Sequence, residues 1–214
     1  MKTKFILIAV LIAQSAIFAG EKKWKTEVLD KGKITIKSAI SERTVGDQSF
    51  PLVEYVVSTT EKGDLATAVK ILKDVTQHPY FLDLKKSVAV KKNSESSQVV
   101  YYVFNAPWPF SPTDCVTQMT EESNDDKTFY SFQLIANPKL YPNQDYKRFD
   151  FYDVKYSLKS TENGKIEIQI DAKFSIPAKV PLFLIRQGFP DIAADIMRKL
   201  VKRINQSEKG KVTL

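Results

Sequence analysis

The chain has 214 residues, 43% of them hydrophobic and 27% charged, with a net charge of +7. One cysteine, one histidine and seven glycines exclude an internal disulfide, a clustered metal-ligand set and a glycine-rich phosphate loop. The mild positive excess is spread thinly. Its densest run, residues 198–203, lies on a predicted helix without interleaved aromatics, which argues for a solvated face over a nucleic-acid surface and remains compatible with anionic lipid headgroups.

In chain order, Lys2 and Lys4 precede an apolar run at residues 5–13 and small residues at 15–19, with Ala19 at the expected cleavage position. This is a secretory signal pattern, and no cysteine stands beside the cleavage point for a lipid anchor. Removing residues 1–19 leaves 195 residues and a net charge of +5. The expectation is an exported protein, periplasmic or extracellular, with one domain over residues 20–214.

After a polar start containing Trp24, residues 31–41 alternate, with Ile34, Ile36, Ser38 and Ile40 on one face. Residues 49–59 read as a second strand. Asp64 is placed to cap a helix whose Leu65, Ala68, Val69, Leu72 and Val75 recur at helical spacing. That helix is expected to end before His78-Pro79, because a residue preceding proline is pushed out of the helical region. Strands are predicted at 87–92, 98–105, 114–123 and 128–136, with polar turns at 93–97 and 124–126. A Pro/Asn-rich loop covers 137–146. Strands at 149–160 and 165–174 form a hairpin through Glu162-Asn163-Gly164. In the last strand Ile166, Ile168 and Ile170 alternate with Glu167, Gln169 and Asp171, which predicts one buried and one solvated face. Helical pieces at 181–187 and 191–206 are expected to meet at a bend marked by Gly188 and Pro190, with Ile192, Ile196, Leu200 and Ile204 as the apolar stripe. An antiparallel sheet bracketed by an early and a late helix is an α+β arrangement.

Residues 99–117 carry the most information. Val99, Tyr101 and Val103 alternate with Val100, Tyr102 and Phe104, so this strand is apolar on both faces and has something to cover on each. It runs into a rigid corner, Ala106-Pro107-Trp108-Pro109-Phe110-Ser111-Pro112, before Asp114 and Cys115. The order of elements and the Pro107-Trp108-Pro109…Asp114 segment resemble the START family of lipid-transfer domains, within the helix-grip group. Thr113 stands where Arg is usual in the family, which weakens any argument for a salt bridge at this corner. The segment 176–185 resembles the family's approach to its C-terminal helix. The resemblance covers residues 24–206.

The resemblance implies a helix-grip fold, a curved antiparallel sheet wrapped around a long C-terminal helix, with an apolar tunnel for one lipid, sterol or other hydrophobic molecule. Trp108 and Phe110 either line the mouth of that tunnel or cap the core at a hairpin end. Tyr101, Tyr102, Phe104 and Phe132 are candidate ligand contacts that equally serve as core. Leu182, Ile185, Phe189, Ile192 and Ile196 are expected to face the sheet and bound any cavity. A gate would be built from the 137–146 loop, the 107–112 corner and the Gly188 bend. Cys115 has no base nearby in sequence, since His78 lies in a distant segment, so no catalytic residue is assigned. No cofactor or metal is expected. The partners are a hydrophobic small molecule and, transiently, a membrane surface, for a monomeric protein. Two other classes stay open: a helix-grip enzyme resembling a cyclase, for which the sequence offers only scattered tyrosines and aspartates, and a scaffold with a filled core.

Overall fold

The computed structural model describes residues 23–106 and 110–210. Among them, ten strands form one sheet: β1 (Lys25–Leu29), β2 (Ile34–Val45), β3 (Gln48–Lys62), β4 (Leu84–Ser94), β5 (Ser97–Phe104), β6 (Thr113–Ser123), β7 (Phe129–Ala136), β8 (Lys147–Arg148), β9 (Tyr152–Thr161) and β10 (Lys165–Ser175). Their order is β1-β2-β3-β10-β9-β7-β6-β5-β4, and two-residue β8 runs parallel to β6. The sheet is antiparallel along its main path, curved and open.

Alternation of β-branched and aromatic residues with polar ones gives each central strand an inner and an outer face. The halves of the chain meet where Leu52–Lys62 pairs with Lys165–Ser175. Two hairpins rest on residues that tolerate positive φ, Gly46 (57°) between β2 and β3, and Asn163 and Gly164 (68° and 64°) between β9 and β10. The edge strand β4 carries register shifts and the lysines Lys85, Lys86, Lys91 and Lys92, devices that discourage further strand pairing.

Helix α1 (Leu65–Lys73) is capped as predicted: Asp64 accepts from the Thr67 backbone N–H and hydroxyl, both at 2.8 Å. It stops earlier than the apolar spacing suggests. Asp74 accepts from the backbone N–H (3.0 Å) and hydroxyl (2.6 Å) of Thr76, which starts a separate 3-10 segment, Val75–Tyr80, with Pro79 inside.

Helix α2 (Leu182–Glu208) runs through Gly188 and Pro190 without the expected interruption. Proline lacks the N–H that would bond the Arg186 carbonyl, so one rung is lost, but its fixed φ suits the helix. The buried face also differs from the predicted stripe. Phe189, Ala193, Ala194, Met197, Leu200, Arg203 and Ile204 are buried, whereas Ile192 is 57% exposed. Apolar residues occupy much of the helix circumference, so spacing alone left its rotation open. Packing against β2, β3 and α1 selects the face.

The inner, concave face of the sheet, α1 and α2 enclose the main apolar cluster. A second, smaller cluster of Val99, Tyr101, Val103 and Val116 lies on the outer face, as the two-faced apolar strand predicts.

Candidate functional site

An aromatic path crosses the concave interior. Phe189 on α2 meets Tyr55 on β3 at 5.1 Å between ring centres, and Tyr55 meets Phe174 on β10 at 6.5 Å. Phe174 continues to Tyr152 on β9 (5.9 Å), then to Phe104 (6.0 Å) and Tyr102 (6.0 Å) on β5, and finally to His78 (5.8 Å). Such pairs, tilted or edge-on except for the stacked His78 and Tyr102, add modestly to the area they bury.

The path carries polar tips. His78 is fixed at both nitrogens, with Nε2 2.9 Å from the Leu72 carbonyl and Nδ1 2.7 Å from the Tyr102 hydroxyl. This arrangement places the ring proton on Nε2 and makes Tyr102 the donor to Nδ1. Burial lowers the imidazole to about 4, so it is neutral at ordinary pH. Three other tyrosines have no such arrangement. Tyr55, Tyr152 and Tyr156 are 5%, 6% and 2% exposed, and among the described residues no hydrogen bond reaches their hydroxyls. Burial raises all three phenols. Tyr152 is the hub, raised further by Tyr156, Cys115, Tyr102 and Tyr55. Thr117 on β6 is fully buried, and its hydroxyl also lacks a partner.

Register explains the convergence. Tyr55 pairs with Ala172, which pairs with Val154, and Tyr152 and Tyr156 flank Val154 on the same face of β9. Thr117 pairs with Ala136, one step past the Ile135–Asp153 pair, so Thr117 and Tyr152 share a row with a small residue between them. Cys115, two residues from Thr117, pairs with Tyr102, and burial pushes its thiol well up.

The outer face of the same strands is organised by a charge pair. Arg148 donates to both oxygens of fully buried Asp114, at 2.9 and 2.6 Å, and this bonding raises the guanidinium further. Its remaining donors reach the carbonyls of Pro138 (3.1 Å), Tyr141 (2.6 Å) and Pro142 (2.9 Å). Tyr141 stacks on Tyr101 at 4.8 Å, and Tyr146 packs beside it. Burial and then the nearby Asp114 carboxylate push the Tyr101 phenol up to about 12, although the hydroxyl stands outside hydrogen-bonding geometry. The 137–146 loop is thus a cover for the outer face, not a gate over the concave side. The corner salt bridge that Thr113 cannot make is supplied to Asp114 by Arg148.

Human STARD10 superimposes on this chain with a TM-score of 0.70 at 15% identity, over 88% of this chain and 75% of its own. A STAR-related lipid transfer protein fragment from Xanthomonas axonopodis gives 0.70 at 21% identity, over 86% and 99%. The fold is that of a START domain. The Zhui aromatase/cyclase of a Streptomyces species is a more distant match, with a TM-score of 0.54 at 6% identity over 72% of this chain and 94% of its own. No family profile matches the sequence, and a search of curated proteins finds no match.

Within this START fold, Tyr102, Phe104, Phe132 and Phe189 all belong to the concave interior, with Ile185 and Ile196 packed at its margin and Leu182 half-buried. Tyr101 belongs to the outer cluster, because adjacent strand residues point to opposite faces. Ile192 faces away from the sheet. Phe110 is half-buried, and Trp108 lies outside the described residues, with Pro107 and Pro109. Sequence reasoning passed over Tyr55, Thr117, Tyr152 and Tyr156. The available signal was the run Tyr152, Val154, Tyr156, Leu158, which sets polar-tipped rings on the apolar face of an alternating strand. The tyrosines that seemed scattered along the chain are gathered by the strand order.

Two open hollows, of about 510 and 490 Å³, hold none of the predicted site residues. The larger lies between α2 and the β2–β3 edge, where Arg198 is paired with Asp30 (2.7 Å) and Lys33 with Glu61 (3.2 Å).

Proposed function

We propose that this protein is a carrier that holds a hydrophobic molecule between the concave sheet and α2 and shields it from water. The observation that carries this reading is the concave aromatic face of a START fold, on which Tyr152 and Tyr156 are buried and the Thr117 hydroxyl has no partner among the described residues. Binding sites for such molecules are apolar clefts with a few convergent polar groups. Each square ångström of ligand buried there contributes about 25 cal/mol. Lipid-transfer proteins of the same fold support the reading.

The cyclase likeness favours a second reading, an enzyme acting on a bound substrate. The chemistry of the face favours carriage: its phenols are held protonated, and His78 is spent on Leu72 and Tyr102. Export follows from Lys2, Lys4 and the apolar run after them. Exposed Phe183 and Leu184 at the start of α2, near Lys179 and Arg186, suit brief contact with a membrane, and the carrier is taken to act as a monomer.

Native mass spectrometry of the protein purified from its own host, followed by lipid extraction, tests the reading. A co-purifying hydrophobic molecule on a chain lacking residues 1–19 is the expected result. A consistently empty protein that takes up no fluorescent lipid or sterol overturns it.

A further inference from the structure

Among the described residues the sheet ends on two edge strands, β1 and β4, and they are built differently. An edge strand offers a row of unpaired backbone N–H and C=O groups to any strand that lies beside it, so most proteins disable their edges. Strand β4 is disabled. Its pairing with β5 shifts register between Leu84 and Lys86, Ala89 and Lys91, and Lys92 and Ser94, and its lysines repel a like strand. Strand β1 has none of these devices. It pairs with β2 in unbroken register from Lys25–Ser38 to Leu29–Ile34, holds no proline, and its one lysine is balanced by Glu27.

Leu29 turns inward to the main apolar cluster, so Lys25 and Glu27 share its side and Trp24, Thr26 and Val28 line the other. Trp24 is 41% exposed and Val28 58%, and Lys37 lies 5.2 Å from the centre of the Trp24 ring. Two large apolar side chains thus stand at the open edge of the outer face.

The spacing of these residues is self-complementary. When two β1 strands lie antiparallel with Thr26 opposite Thr26, symmetry fixes every other pair. Trp24 falls opposite Val28 of the second copy and Lys25 opposite Glu27, and each pair occurs twice. An aromatic against a β-branched residue and a lysine against a glutamate are both favourable cross-strand pairs. Moving the axis to Glu27 sets Lys25 against Leu29 and Trp24 against Asp30, and both matches are lost. A two-fold axis through Thr26 stands perpendicular to the sheet, so the outer faces of both copies stay on one side and Trp24 meets Val28 there.

We propose that the β1 edge receives a second copy of this chain, paired antiparallel about Thr26, so that the two sheets run on as one. The seam is short, which makes it a small interface of the reversible kind. Helix α2 packs on β2 and β3, inside the edge. Each copy keeps its own concave face and α2, so a single chain remains the unit that carries. Pairing at this edge does not depend on what the concave face binds.

Sedimentation velocity of the chain lacking residues 1–19 tests this, at concentrations of about 1–300 μM, the range in which small interfaces dissociate. A monomer at the low end and a dimer growing toward the high end are the expected result. Lys25→Glu and Glu27→Lys each set like charges opposite one another twice, and each is expected to weaken pairing about tenfold. The double variant K25E/E27K restores both opposite-charge pairs with the signs exchanged, and is expected to pair as the unmodified chain does. Both positions are exposed or half-buried, so urea midpoints should stay unchanged in all three variants. A chain that stays monomeric throughout overturns the proposal. So does a dimer that the single variants leave intact, or one that the double variant fails to restore.

Discussion

Strands β5 and β6 present two faces that were solved in opposite ways. On the outer face Asp114 meets Arg148, three loop carbonyls accept from the same guanidinium, and Tyr141 lies on Tyr101. On the inner face, Tyr102, next to Tyr101 in β5, leads to His78, while Thr117, three residues past Asp114 in β6, ends in an unpartnered hydroxyl. The outer polar groups serve the fold, since each brings a loop or a strand into place. The inner Tyr102 hydroxyl also holds an element, the segment carrying His78, but the Thr117 hydroxyl brings nothing into place. A buried polar group that does nothing for stability is where a structure has kept room for something else.

The largest effect should come from breaking the outer pair. Arg148→Met strands the buried Asp114 carboxylate and releases the 137–146 loop, and a loss of about 3–5 kcal/mol is expected in urea unfolding. A loss below about 1 kcal/mol would mean that the pair does not hold this face.

The inner face should reveal itself through pH. The His78 imidazole has a folded value of about 4 against 6.5 in the open chain, so between these values the unfolded state binds the extra proton. The contribution is complete above pH 6.5 and is lost as pH falls toward 4, by about 3 kcal/mol. His78 is the chain's sole histidine, so the slope of urea midpoint against pH in that window should flatten in His78→Gln. An unchanged slope would place the proton elsewhere.

A smaller effect of opposite sign separates the two faces most sharply. Thr117→Val removes an unpartnered buried hydroxyl at nearly constant shape, and the ligand-free protein should gain up to about 1 kcal/mol in the same assay. A loss would show that the hydroxyl has a structural role. The smallest change is expected at Ile192→Ser, within about 0.5 kcal/mol of zero by thermal melting, because this residue of the predicted stripe points away from the sheet.

How much of this was legible in the chain varies with the range of the interaction. Alternation at Val99–Phe104 disclosed a strand with two apolar faces, and the Asp64 cap and the Asn163-Gly164 turn were read correctly because their hydrogen bonds and φ angles are local. The continuity of α2 through Gly188 and Pro190 was hidden, since whether a proline ends a helix depends on what packs around it. Strands β1 and β8 carry little apolar signal because they are held by pairing, not by burial. The Pro107–Pro109 corner, which carried much of the family resemblance, lies outside the described residues, and its role as a tunnel lip stays a proposal.

By itself the sequence determined the strands, which side of most of them is apolar, the α+β class and the likeness to START domains, because these depend on periods of two and 3.6 residues. Only the tertiary structure decided that β3 lies beside β10 and β10 beside β9, which brings Tyr55 near Tyr152 and Tyr156 across about a hundred residues of chain. It also decided that Arg148 serves Asp114 and that Ile192 faces outward. Alternation says which side chains share a face; strand order, register and helix rotation are long-range choices, and they alone say which of those side chains meet.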